Sequence, residues 1–129
     1  MANDAEIRNY LGITFDNLGN FDQAYKSYNE ARTLAPNNPN FASNLGFSLM
    51  MAGKFNEAEA VLRQAVNMPG APIQARQNLA LAIGIQGRLA ESEQVAQSDL
   101  PTDIAQQNTK YLREMLDGSQ RWKQEPKSK

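Results

Sequence analysis

Residues Asn44 to Val66 read NLGFSLMMAGKFNEAEAVLRQAV and hold two amphipathic helical patterns separated by a single turn at Gly53. Leu45, Leu49, Phe55, Leu62 and Ala65 supply the apolar faces of the pair. Gly46 and Ala58, on opposite sides of that turn, are the small residues expected where two antiparallel helices press together most closely. Shifted by 34 residues, the pattern recurs: Leu11, Gly12, Gly19, Phe21, Ala24 and Ala31 return as Leu45, Gly46, Gly53, Phe55, Ala58 and Ala65. A fixed period of that length marks a stacked helical repeat, in which each hairpin buries its apolar face only against its neighbours.

Outward from this hairpin, repeat one covers residues 5–38. Its first helix places Ile7, Leu11, Phe15 and Leu18 on one face, and its second continues with Ala24, Tyr28, Ala31 and Leu34 until Pro36 and Pro39. Repeat two covers 39–72 and ends in the connector MPGAP, Met68 to Pro72. Repeat three, 73–101, keeps Leu79, Ala80, Ile83, Gly87 and Leu89 but has Ser92 where an alanine is expected. A seventh helix is expected over 102–118, stopped by Gly118, with Ile104, Asn108, Tyr111, Leu112, Met115 and Leu116 on one stripe. It reads as a capping helix whose stripe Ile104, Tyr111, Leu112 and Met115 packs near Val95. Residues 119–129, SQRWKQEPKSK, read as a disordered basic tail.

The 129 residues amount to one domain. The net charge of −1 divides into +3 on the last eleven residues and −4 on residues 1–118, and a mildly acidic body argues against nucleic acid as partner. Cysteine and histidine are both absent, which removes thiol nucleophiles, disulfides, the usual zinc sites and the commonest general base. Neither enzyme activity nor a metal or cofactor is expected. No apolar run approaches the roughly 20 residues of a membrane span. The chain starts almost directly on a repeat and so reads as a piece of something longer.

These residues resemble the tetratricopeptide repeat (TPR) family, over residues 5 to about 99. Repeat one carries Leu11, Gly12, Phe15, Ala24, Tyr28, Ala31 and Pro36 of its consensus, with Arg8 in place of the early tryptophan. Repeat two carries Leu45, Gly46, Ala58 and Ala65, with Leu49 and Leu62 in place of aromatics. The resemblance implies an all-α fold, an α-α superhelix of three helix-turn-helix repeats and a capping helix, that binds peptides or proteins. A narrower resemblance covers Asn78 to Leu116, which is similar to the C-terminal part of TadD-like Flp (Tad) pilus assembly proteins. It rests on Gln86, Gly87 and Arg88, then Asp99 and Leu100, then Tyr111, Leu112, Arg113, Met115 and Leu116. It implies a bacterial secretion component with a pilus or secretin partner, located in the periplasm or at the outer membrane if the parent carries a lipoprotein signal, otherwise in the cytoplasm. The alternative is a generic adaptor module excised from a larger protein, which could itself be a multidomain enzyme.

In such superhelices the first helices line a concave groove. Repeat one is expected to present Glu6, Asn9, Ile13, Asp16 and Asn17 to it. Repeat two presents Asn40, Ser43, Phe47, Met50 and Met51, and repeat three Gln74, Gln77, Leu81, Gly84 and Ile85. Ile13, Phe47 and Leu81 form an apolar row that Met50, Met51 and Ile85 thicken. The partner-binding candidates are these six together with Asn9, Asn17, Asn44, Gln77 and Asn78; Asn9, Asn44 and Asn78 are suited to a partner's backbone or to bonds within the stack. The chaperone-adaptor subclass of the family grips a C-terminal carboxylate with lysines and an arginine, but the corresponding places here are Asn9, Ile13, Asn44, Gln74 and Asn78. An apolar binding mode is therefore expected. The carboxylate pairs Glu57/Glu59 and Glu91/Glu93 read as solvated helical spacing.

Overall fold

Among the described residues seven helices follow one another: α1 Asp4–Asn17, α2 Phe21–Leu34, α3 Pro39–Met51, α4 Phe55–Val66, α5 Ile73–Ile85, α6 Leu89–Gln97 and α7 Thr102–Gln124. The computed structural model describes residues 3–98 and 101–124, with side chains through residue 117. Asp99, Leu100 and residues 125–129 lie outside the described residues, as do the side chains of the basic tail. The stop expected at Gly118 is not used, and α7 continues through it to Gln124, taking in residues assigned above to the tail. One glycine costs a helix only about 1 kcal/mol relative to alanine, which does not end it by itself.

The first three helices start on asparagine. The Asn3, Asn20 and Asn38 side chains accept from the backbone N–H of Glu6 (2.8 Å), Gln23 (3.3 Å) and Asn40 (2.9 Å). Each hairpin turns on a glycine 34 residues from the last, with φ of 74° at Gly19, 78° at Gly53 and 94° at Gly87. That left-handed backbone lets the chain reverse after the helix, so that the N–H groups of Gly53 and Lys54 reach the carbonyls of Met50 (2.9 Å) and Leu49 (2.8 Å).

First helices touch first helices along the array: α1 meets α3, α3 meets α5 and α5 meets α7. The second helices α2, α4 and α6 are spanned only by long side chains, such as Arg32 to Gln64 (2.9 Å) and Arg63 to Glu91 (2.7 Å). A stack closed on one side and splayed on the other is curved, with the first helices inside. One apolar core runs through all three repeats and includes Tyr28, Leu45, Leu49, Leu62, Leu79 and Ile83. Each such side chain contributes about 1.5–3 kcal/mol by leaving water.

Within a hairpin the closest approach is a glycine against a large residue. A Cβ on Gly12 would lie 2.5 Å from the Tyr28 ring, and one on Gly46 would lie 2.4 Å from Leu62. The residue nearest Gly46 is therefore Leu62, sixteen residues on; Ala58, expected in that place, is fully buried in the same core. In repeat three both places hold alanine, Ala80 and Ala96, and these pack with Ala105 of α7.

α7 covers the end of the array, but of the expected stripe Ile104, Tyr111, Leu112 and Met115 only Leu112 is in the seam. Ala105, Thr109 and Leu112 are buried, whereas Ile104, Tyr111 and Met115 are exposed. Leu112 reaches Gly84, where a Cβ would stand 2.5 Å from its terminal methyl. Close helix approach selects small side chains, so the seam follows Ala105 and Thr109 and not the bulkier neighbours.

Candidate functional site: the concave stripe

The middle first helix, α3, buries nine of its thirteen residues. Asn40, Asn44, Phe47 and Met51 are left, spaced four, three and four, which is one line along a helix. Because the other sides of α3 are taken by α1, α2, α4 and α5, this line faces the concave side. Phe47 stands 44% exposed on it.

At the 34-residue offset the same line holds Glu6, Tyr10, Ile13 and Asn17 on α1, all exposed, and Gln74, Asn78, Leu81 and Ile85 on α5. Leu81 and Ile85 are half-buried against the core. Most of the expected set thus lies together: Ile13, Asn17, Asn44, Phe47, Met51, Asn78, Leu81 and Ile85. Met50 leaves it, being 7% exposed and part of the core. It precedes Met51 by a 100° step round the helix, and the neighbouring repeats take that side. Ser43 is buried too, and Gly84 is covered by Leu112.

Asn9 is the counterpart of Ser43 and Gln77, one position off the line, and its Oδ1 accepts from Asn44 Nδ2 at 3.0 Å. The two amides brace repeats one and two. Tyr10 is the true counterpart of Asn44 and Asn78, and the sequence reading missed it; counting the offset strictly was the signal available. Gln77 is exposed beside the line.

The line also continues onto α7. There the register is 30 residues, because α6 is nine residues long where α4 has twelve and the linker after it is also shorter. Ala75, Gln77 and Asn78 return as Ala105, Gln107 and Asn108, so Ile104, Asn108, Tyr111 and Met115 stand for Gln74, Asn78, Leu81 and Ile85. The exposure of Ile104, Tyr111 and Met115 follows from that register. Across four helices one row runs Ile13, Phe47, Leu81, Tyr111 and another Asn17, Met51, Ile85, Met115; among all of these positions only Glu6 is charged.

Charge is spent elsewhere, on holding repeats together. Asp16 accepts from the Tyr28 hydroxyl (2.7 Å) and from Ser48 Oγ (2.6 Å), and burial with the Asp16 contact pushes the Tyr28 phenol far above its ordinary pKa. Arg63 donates to Glu59 (2.8 Å) and Glu91 (2.7 Å), while Gln86 (3.0 Å) and Arg88 also donate to Glu59. Desolvation raises the Glu59 pKa, but hydrogen bonds from Arg63, Gln86 and Arg88 outweigh it and hold the carboxyl below its usual range. This side-chain lattice accounts for Glu59 and Glu91 as structural groups.

Residues 18–80 match the family model described as tetratricopeptide repeat. Among solved structures, the first TPR of Spaghetti (RPAP3) bound to the HSP90 peptide SRMEEVD is similar with a TM-score of 0.73 at 18% identity, over 88% of this chain and 96% of that one. The Arabidopsis OM64 TPR domain gives 0.72 at 16% identity, over 84% and 95%. The Sgt2 TPR domain from Aspergillus fumigatus gives 0.70 at 17% identity, over 99% and 89%. At these identities the likeness is one of fold. No curated protein sequence matches significantly. The match over 18–80, the glycine turns at Gly19, Gly53 and Gly87 and the first-helix-inside curvature give this chain the fold of a tetratricopeptide repeat solenoid.

Proposed function

We propose that this chain is a protein-interaction scaffold that holds a partner segment along the concave stripe, chiefly by apolar burial. The observation that carries the reading is α3: on a helix buried on every other side, the one open line presents Phe47 and Met51. An exposed ring flanked by a flexible thioether suits varied apolar side chains. Related folds are known with peptide partners, the HSP90 peptide SRMEEVD on one RPAP3 domain and the HSP70 peptide SGPTIEEVD on another. Those acidic peptides call for positive charge, and the stripe here carries no lysine or arginine. The partner is accordingly an apolar segment and not an acidic tail.

For the biological setting we propose Flp/Tad pilus assembly, with a pilus or secretin component as partner. The support is the resemblance of residues 78–116. Several of its signature residues have structural tasks here: Gly87 makes the turn, Arg88 bonds Glu59, and Leu112 docks α7, while Tyr111 stays on the open stripe. In that setting the protein acts in the periplasm or at the outer membrane when its parent is lipid-anchored, and otherwise in the cytoplasm. The described helices include none long and apolar enough to cross a membrane.

The test is calorimetric titration of overlapping peptides from pilus-machine components at low and high salt. Binding should change little with salt, and Phe47→Ala should weaken it by about thirtyfold, or about 2 kcal/mol. Unchanged affinity in a Phe47→Ala protein that stays folded by circular dichroism would remove the site from the concave stripe.

A further inference from the structure

At the α7 end of the stripe lies a cavity of about 390 Å³ between α5, α6 and α7. Its floor includes Ala80 and Ala96, the two places that hold Gly12 with Tyr28 in repeat one and Gly46 with Leu62 in repeat two. There a large side chain of the second helix plugs the notch on the first. In repeat three the plug is cut back to Ala96, and Leu112 from α7 is drawn to Gly84, one turn further along α5. The remaining space opens between Leu81, Ile104 and Tyr111, the last of which is 67% exposed.

The chemistry of the lining narrows what fits. The floor hydroxyls are already engaged, Ser92 Oγ donating to the Ala80 carbonyl (2.6 Å) and Thr109 Oγ1 to that of Ala105 (3.1 Å). The floor therefore offers carbon and no free hydrogen-bond donor. Among the described residues no charged side chain lines the cavity, while the amides of Gln77, Asn78 and Asn108 stand at its edge. Amides of that kind satisfy peptide N–H and C=O groups. The volume exceeds what one aromatic side chain fills and falls at the small end of ligand pockets.

We infer that this cavity is the anchor pocket of the stripe, taking one aromatic side chain of the partner segment over Ala80 and Ala96 and against Leu81, Ile104 and Tyr111, with Gln77, Asn78 and Asn108 bonding the flanking peptide groups. The inference rests on the groove reading and assigns it a specificity determinant and a polarity, since the aromatic residue lies at the α7 end.

The probe is N-acetyl-phenylalaninamide, titrated into the full chain and followed by amide NMR, with N-acetyl-alaninamide as comparison. The phenylalanine probe should move the signals of Leu81, Asn108 and Tyr111 saturably in the millimolar range, and the alanine probe should need at least tenfold more. Tyr111→Ala, at an exposed position, should weaken the response severalfold. The double variant Ala80→Gly/Ala96→Leu rebuilds the repeat-two plug and should abolish it; if that variant does not fold, Tyr111→Ala alone decides. Shifts confined to Phe47 and Met51 would overturn the pocket and leave the groove standing. Equal response to both probes, no response, or an unaltered response in Tyr111→Ala would also overturn it. The partner titration with Phe47→Ala judges the groove separately.

Discussion

The two ends of the array treat equivalent side chains in opposite ways. Ile7 and Leu11 lie exposed on α1, yet their counterparts Phe41 and Leu45 on α3, and Ala75 and Leu79 on α5, are buried against the preceding hairpin. At the other end α7 covers repeat three with Ala105, Thr109 and Leu112, and turns Gln106, Lys110 and Arg113 to solvent. The apolar face is thus open at the α1 end and closed by a polar-backed helix at the α7 end. Burial in a solenoid belongs to a position in the stack, and the same leucine is core or surface according to whether a neighbour is docked there.

The largest effect that can break this comparison comes from one substitution made at its two ends. Leu45→Ala, at a side chain 1% exposed, should cost about 2–5 kcal/mol in urea unfolding, and Leu79→Ala about as much. Leu11→Ala, at 39% exposure, should cost less than about 1 kcal/mol. Equal losses at Leu11 and Leu45 would mean that something covers α1.

A smaller effect sharpens the closed end. Gly84→Ala would press a methyl into Leu112, which should destabilise by about 1–3 kcal/mol. The Leu112→Ala background should largely relieve that loss, because the two residues share one contact. A strictly additive cycle would show that α7 does not dock through this notch.

The smallest effect concerns the lattice between repeats two and three. Hydrogen bonds depress the Glu59 pKa in the folded state, so its contribution is present above the ordinary carboxylate range and fades as pH falls through the lowered value. Wild type should melt above Glu59→Gln at neutral pH, and the gap should close on acidification. A gap that widens toward low pH would reverse the assigned sign.

Hairpin boundaries, turns and the stripe on α1, α3 and α5 were legible because they depend on local rules. A positive φ asks for glycine, and a helix repeats every 3.6 residues, so Gly19, Gly53 and Gly87 could be placed by counting. Three particulars were not legible. The adjacent pair Met50 and Met51 divides between core and groove, and only the position of the neighbouring repeat chooses which is which. Gly46 meets Leu62 because the two helices cross there, a fact of docking geometry and not of either helix alone. On α7 apolar weight favoured Ile104, Tyr111, Leu112 and Met115, yet only Leu112 of these is in the seam, which Ala105 and Thr109 complete.

By itself, the sequence determined seven helices, their 34-residue period and the row Ile13, Phe47, Leu81, since backbone conformation and helical periodicity are set by neighbours along the chain. Only the tertiary structure decided that α6, nine residues long, brings α7 in at a 30-residue register, so that Asn108 and Tyr111 extend the stripe and a cavity opens over Ala80 and Ala96. The reason is physical: close helix packing rewards small residues and exact offsets between segments distant in sequence, and neither is written in the hydrophobicity of a single helix.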